Sequence, residues 1–209
     1  MRTLFCTLVT MAGLTLGSAA DAATFRFDTD PFAGVDVSDP ARQIVGGEDF
    51  IVFDIAQDVF KLESTVFGLS GTDVLFANGL VDNLPTGNVN VVVLQSFDND
   101  NDPATPFAAG TAANLIAGQI TTPGPGFFIY FNSGLDLPRL VFSTDLSDNT
   151  ADLKILFRLT NLAGQQGRDA IPSFTADNFE ITAVPEPATL ALVAFGLASG
   201  ISHARRRRT

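Results

Sequence analysis

The chain has 209 residues, of which 46% are hydrophobic and 17% are charged, so it can form one domain of ordinary size and is not a wholly disordered protein. Its formal net charge is −11. Residues 23–183 hold 21 acidic and seven basic residues, which gives this part of the chain a net charge of −14. Such an acidic surface repels phosphate backbones, and nucleic acid is therefore not an expected partner.

The first 22 residues are typical of a secretory signal peptide. Arg2 gives a short positive start, an apolar stretch follows, and residues 20–22 (Ala-Asp-Ala) form a small-x-small cleavage site. We expect the signal to span residues 1–22 and the mature chain to begin near Ala23. Cys6 lies inside the signal, so a mature chain would contain no cysteine, which excludes disulfides, thiolate metal sites and a cysteine nucleophile.

Residues 23–183 are predicted to form one β-rich domain. Short apolar blocks rich in Val, Ile and Phe alternate with Gly, Asn, Asp and Pro, which is the pattern of strands joined by turns. Nine strands are predicted, at residues 24–28, 50–55, 59–62, 74–76, 89–97, 127–131, 139–142, 153–159 and 178–182. Their number and spacing favour an all-β fold, an antiparallel β-sandwich or jelly roll.

Some elements carry a more specific expectation. Period-two alternation predicts that one core-facing side of the strand at 153–159 carries four apolar residues: Leu153, Ile155, Phe157 and Leu159. In the last strand, Phe179 and Ile181 are predicted to point into the core. The Ala-rich residues 107–120 are predicted to form a short helix or a loop over the sheet, and residues 121–126 a rigid turn.

An acidic segment follows the fifth predicted strand. Asp98, Asp100 and Asp102 have the one-three-five spacing that lets a tight loop direct three carboxylates at a hard cation such as calcium. The segment resembles the start of an EF-hand loop, but Pro103 replaces the required glycine and Ala109 the bidentate acid. Two interpretations stay open: a solvated acidic loop, or a calcium site completed by ligands elsewhere in the fold.

Few side chains of the predicted domain are suited to catalysis. His203 is the sole histidine, so residues 23–183 lack both His and Cys, the usual bases, nucleophiles and transition-metal ligands. Carboxylate pairs of the kind that glycosidases use remain, but most acids are Asp in turn-like contexts, and only Tyr130 and the phenylalanines are available to stack on sugars. We therefore expect a protein that is not an enzyme.

The last 26 residues contain three parts in a fixed order. A proline-rich motif comes first, at Pro185, Glu186 and Pro187. Residues 188–204 follow without Asp, Glu, Lys or Arg, and as a helix they reach roughly 26 Å, just enough to cross a bilayer core. A basic cluster ends the segment, at Arg205, Arg206, Arg207 and Arg208. The pattern predicts a single transmembrane helix with the arginines as a cytoplasmic anchor.

This order of motif, apolar helix and arginine cluster resembles the PEP-CTERM sorting signal, found on exported proteins of Gram-negative bacteria that make exopolysaccharide. The resemblance is limited to residues 184–209. It implies transient insertion in the inner membrane, recognition by an exosortase, cleavage at or near Pro185, Glu186 and Pro187, and delivery to the cell surface or extracellular matrix. On this view, the motif is the substrate of another enzyme.

Three functions remain for the domain at residues 23–183. The leading one is a non-catalytic structural or adhesive role linked to exopolysaccharide or biofilm. The first alternative is a calcium-dependent, lectin-like carbohydrate-binding module that uses the Asp98 segment. The second is a polysaccharide hydrolase or lyase that works with carboxylates alone.

Overall fold

The structure, a computed structural model, describes residues 21–36, 41–97 and 104–183. These residues form ten strands: β1 (Thr24–Phe27), β2 (Ile44–Val45), β3 (Asp49–Ile51), β4 (Val59–Glu63), β5 (Phe76–Gly79), β6 (Val91–Leu94), β7 (Gly126–Asn132), β8 (Leu137–Ser143), β9 (Leu153–Leu159) and β10 (Phe179–Thr182). They also form two α-helices, α1 (Ala109–Ala117) and α2 (Gly164–Ala170), and three short 3-10 helices, at Val81–Asn83, Ile171–Ser173 and Ala176–Asn178.

The strands are arranged in two sheets. The smaller sheet has the order β1-β4-β10, with both outer strands parallel to β4. The larger sheet has the order β2-β9-β8-β7-β6-β5, and β3 follows β2 along the same side of β9. The first and last strands of the domain thus pair with the same central strand.

Two apolar clusters hold three layers together. One lies between the sheets and contains Phe60 of the smaller sheet together with Val91 and Val93 of the larger one. The other lies between the larger sheet and α1, and it contains Val92 and Leu94. Alternate residues of β6 therefore enter different clusters, so the larger sheet is buried on both faces, as expected for runs of consecutive apolar residues.

Helix α1 covers the outer face of the larger sheet through small side chains. Its buried residues are Ala109, Ala112, Ala113 and Ile116, which recur at the spacing of one helical face. Arg42, just before β2, donates to the carbonyl of Gly110 and the side chain of Asn114 at 3.0 and 2.9 Å. The helix therefore lies against the sheet and is tied to its edge. Residues 107–120, predicted as a helix or a loop, contain this helix.

The prediction of a mostly β domain is confirmed, and each of the nine predicted strands overlaps an observed strand. The antiparallel order is wrong, because six of the eight strand pairings of the described residues are parallel. A jelly roll is antiparallel throughout, so that expectation is wrong as well. The physical reason lies in the connections: β6 and β7 are joined by a crossover that includes α1, and such crossovers link parallel strands.

The expected common face of Leu153, Ile155, Phe157 and Leu159 is also wrong. Leu153 and Ile155 pack on the α1 side, whereas Phe157 and Leu159 pack between the sheets. The cause is a β-bulge: Leu140 of β8 is opposite Phe157, but its neighbour Val141 is opposite Ile155, which leaves Leu156 as an extra residue. After the bulge, the odd-numbered residues of β9 therefore face the space between the sheets and no longer face α1.

Within the described residues, no helix has both the length and the apolar character needed to cross a membrane. The predicted transmembrane helix at 188–204 lies outside those residues, as do residues 1–20 of the predicted signal peptide.

Candidate functional sites

The acidic segment that was predicted as a possible calcium site lies outside the described residues, at 98–103. The structure does describe Phe97, which precedes Asp98. Its ring lies 6.1 Å from that of Phe131, and the guanidinium of Arg168 in α2 lies 5.3 and 5.4 Å from the two ring centres. Arg168 therefore places its guanidinium beside the residue that leads into the segment.

No group of three or more His, Cys, Asp or Glu residues suited to a metal ion occurs in the part of the chain that the structure describes. Calcium binding by Asp98, Asp100 and Asp102, which lie outside that part, stays a prediction.

The predicted processing motif and the arginine cluster also lie outside the described residues, within 184–209. The strand before them is well anchored. Phe179 and Ile181 of β10 are buried, which confirms their predicted inward orientation. Glu180 points outward and pairs with Lys61 Nζ at 2.7 Å. The carbonyl of Thr182 accepts a 2.8 Å hydrogen bond from the backbone N–H of Ser64, so backbone hydrogen bonding extends to the residue just before Ala183.

A buried charged cluster on the larger sheet was not anticipated from the sequence. Arg139 of β8 and Arg158 of β9 both donate to one carboxylate oxygen of Glu48, which lies between β2 and β3. The side chains of Glu48 and Arg139 are 6% and 10% exposed, which makes this the most deeply buried charge arrangement among the described ion pairs. Register places Tyr130 of β7 opposite Arg139, and Phe50 of β3 opposite Arg158.

Local structure explains how Glu48 reaches the two arginines. Gly47 has a φ of +88°, a backbone conformation that residues other than glycine rarely adopt. Lys154 Nζ donates to the carbonyl of Gly46 at 2.6 Å and holds the start of this turn against β9. The turn between β2 and β3 therefore places the carboxylate of Glu48 next to the two arginines. A glycine pair followed by Glu, with a lone Arg in an apolar strand, is the sequence signal that was available.

The protonation states of the cluster follow from its surroundings. Burial raises the pKa of Glu48, but hydrogen bonds from its own backbone N–H and from Arg158 and Arg139 lower it by more, so the pKa falls below the ordinary 4.5. Burial raises the pKa of Tyr130 above its ordinary 10.0, although Asn132 and Arg139 oppose the shift. At neutral pH Glu48 is therefore a carboxylate and Tyr130 a neutral phenol. With its carboxylate ionised and bound to two arginines, Glu48 has a structural role and links its turn to β8 and β9.

The surface depressions of the described residues include two that differ in their lining. The larger, of about 310 Å³, is lined by Asn114, Ala117, Gly118, Ser147, Asp148 and Asn149. Its single carboxylate, Asp148, accepts hydrogen bonds from the backbone N–H and hydroxyl of Thr150, and these bonds lower its pKa. The smaller, of about 190 Å³, lies between the turns near Gly68, Asn88 and Pro123 and has no carboxylate in its lining. Neither supplies the carboxylate pair of a glycosidase.

A family model for the PEP-CTERM protein-sorting motif matches residues 183–208. The match confirms the resemblance drawn from the proline-rich motif, the apolar stretch and the arginine cluster. It implies that the protein is exported and processed by an exosortase in a step linked to the membrane. The comparisons with curated proteins and with solved structures found no match.

Proposed function

We propose that this protein is a non-catalytic structural or adhesive component of the cell surface or the extracellular polysaccharide matrix. The observation that carries the proposal is the position of the sorting motif, whose match begins at Ala183, directly after β10. Cleavage near Pro185, Glu186 and Pro187 would thus cut outside both sheets. A folded domain can then be passed on as a unit, without losing a strand.

The way in which β10 is held supports this proposal. It pairs along its length with β4, inserts Phe179 and Ile181 into the core and adds an outward ion pair through Glu180. The same central strand also holds β1. Because β4 binds both terminal strands, each of them is held by strand pairing within the described residues.

The charge of the domain supports contact with a polymer matrix. A net charge of −14 over residues 23–183 keeps an exported protein soluble and allows weak contacts with anionic polymers through bridging cations. The proposal that the domain is not an enzyme rests on its composition, since residues 23–183 contain no histidine and no cysteine.

The test uses the exported protein and the exopolysaccharide of the cells that make it. Deleting the gene should weaken or release the matrix. The added protein should bind the polymer weakly, and this binding should require divalent cations of any kind and decrease at high salt. Binding that saturates, requires calcium specifically and is lost in Asp100→Asn would favour the lectin-like module. Shortening of the polymer would establish a carboxylate enzyme. An unchanged matrix and no binding would contradict the proposal.

A further inference from the structure

We propose that removal of the signal peptide creates a structural ion pair between the new α-ammonium group of Ala23 and the buried carboxylate of Asp58. The backbone nitrogen of Ala23 lies 2.7 Å from Asp58 Oδ1. In the unprocessed chain, this nitrogen is a neutral amide. Hydrolysis of the Ala22–Ala23 peptide bond by a signal peptidase consumes one water molecule and leaves a carboxylate on the released Ala22. The same nitrogen of Ala23 becomes an amine, which takes up a proton and is then a cation.

The carboxylate of Asp58 is well placed to receive that charge. Asp58 is only 5% exposed, and among the described residues no Lys or Arg forms an ion pair with it. Its Oδ2 accepts the backbone N–H of Asp54 at 2.8 Å, which leaves Oδ1 directed at Ala23. A buried carboxylate without a cation is costly, and a charged donor makes a stronger hydrogen bond than a neutral one.

The position of Ala23 is held from its other side as well. Its carbonyl accepts the backbone N–H of Val59 at 3.0 Å, and β1 begins at the next residue, Thr24, in register with Val59. Asp21 and Ala22 are exposed. Only a mature chain that starts at Ala23 therefore places a charged nitrogen next to Asp58. A chain that starts later lacks the Ala23 donor, and in a chain that starts earlier the nitrogen of Ala23 stays a neutral amide.

The turn that carries Asp58 is supported by a second polar residue, which binds its backbone carbonyls. Asn178, which is buried, donates to the carbonyls of Ile55 and Asp58 at 2.8 and 3.1 Å. It lies just before β10, so the turn that carries Asp58 is held between the first and last strands of the smaller sheet. Processing at the N-terminus would thus stabilise the sheet that also anchors the sorting segment.

The experiment uses the exported protein. N-terminal sequencing should find Ala23 as the first residue, and a different first residue would overturn the proposal. Acetylation of the α-amine near pH 6.5 removes its charge, with peptide mapping to show that Lys61 and Lys154, the only lysines, stay unmodified. Acetylation should raise the unfolding equilibrium constant roughly tenfold, the difference between a charged and a neutral hydrogen bond.

Two comparisons tie this effect to Asp58. In Asp58→Asn, acetylation should change the unfolding constant by less than about twofold, because the cycle isolates the pair. Asp54→Asn is the matched control, since the exposed Asp54 side chain binds Ala56 and Gln57 and not Ala23; it should keep the tenfold response. Reductive dimethylation of the wild type retains the positive charge and should preserve stability even if Asp58→Asn does not fold. An equal loss after acetylation and dimethylation would overturn the proposal.

Discussion

Arg139 and Arg158 lie directly opposite one another on the antiparallel strands β8 and β9, and both donate to the same carboxylate oxygen of Glu48. Two like charges opposite each other on neighbouring strands destabilise a sheet unless a counter-charge lies between them. The turn between β2 and β3 supplies that counter-charge. Glu48 therefore connects the turn between β2 and β3 to two strands, β8 and β9, through one side chain.

This arrangement predicts a large effect of Glu48→Gln. The substitution leaves the two guanidiniums facing each other, one of them 10% exposed, and should lower the free energy of unfolding by about 3 kcal/mol or more, as for other broken buried pairs. Denaturant unfolding measures the change. Glu180→Gln is the matched control, because it breaks the exposed Lys61–Glu180 pair and should cost no more than about 1 kcal/mol. Equal losses in both variants would contradict the structural role of Glu48.

The same carboxylate should make stability depend on pH. The folded-state pKa of Glu48 is below its ordinary 4.5, so its contribution is fully present above that value and is lost as the pH falls through the folded pKa. The gap in unfolding free energy between the wild type and Glu48→Gln should thus stay constant near neutrality and narrow below about pH 4.5. Chemical denaturation at pH 7, 5 and 3 tests this, and a gap that widens on acidification would show the wrong sign.

Gly126 at the start of β7 should not tolerate a side chain. A Cβ there would lie 2.5 Å from Leu146 Cδ1 and 2.7 Å from the carbonyl oxygen of Asn90. We expect Gly126→Ala to lower the unfolding free energy by roughly 1–3 kcal/mol, the usual cost of overpacking. Gly71→Ala provides the comparison, because no described atom lies within 4 Å of its Cβ position, and it should change stability by less than about 0.5 kcal/mol. Similar melting temperatures for the two variants would refute the steric argument.

The acidic segment gives a prediction about calcium. The interpretation of residues 98–103 as a solvated loop predicts that the protein has the same melting temperature with millimolar calcium as with a chelator, since only a ligand bound by the folded state stabilises it. Asp100→Asn is the control. A calcium-dependent rise that this variant abolishes would establish a site at Asp98, Asp100 and Asp102 instead.

The sequence was informative about where strands lie and much less so about how they pair. Apolar blocks marked nine of the ten strands, because side-chain burial leaves a local pattern; β2, with two residues, is too short to leave one. Strand direction depends on the connections, and the Ala-rich crossover of α1 was the local sign of a parallel pair. The bulge at Leu156 could not be recognised in the sequence, because each residue around it is either apolar or has a long side chain.

For the candidate sites too, the sequence predicted what depends on neighbouring residues and missed what depends on strand pairing. The sorting motif is read from consecutive residues, and the family comparison confirmed it. Glu48 and Arg139 are 91 positions apart, and Ala23 and Asp58 are 35 apart, so neither contact follows from a local pattern. Such pairs become visible only when the sheet topology brings distant strands together.

The sorting motif implies that an exosortase removes the C-terminal segment of an exported domain. The most direct test of this removal is the intact mass of the protein recovered from the matrix of cells that possess the sorting enzyme and of cells that lack it. We expect a chain that begins at Ala23 and ends near Pro185, Glu186 or Pro187 only where the enzyme is present. Retention of Arg205, Arg206, Arg207 and Arg208 in both would contradict it and would identify the segment as a permanent anchor.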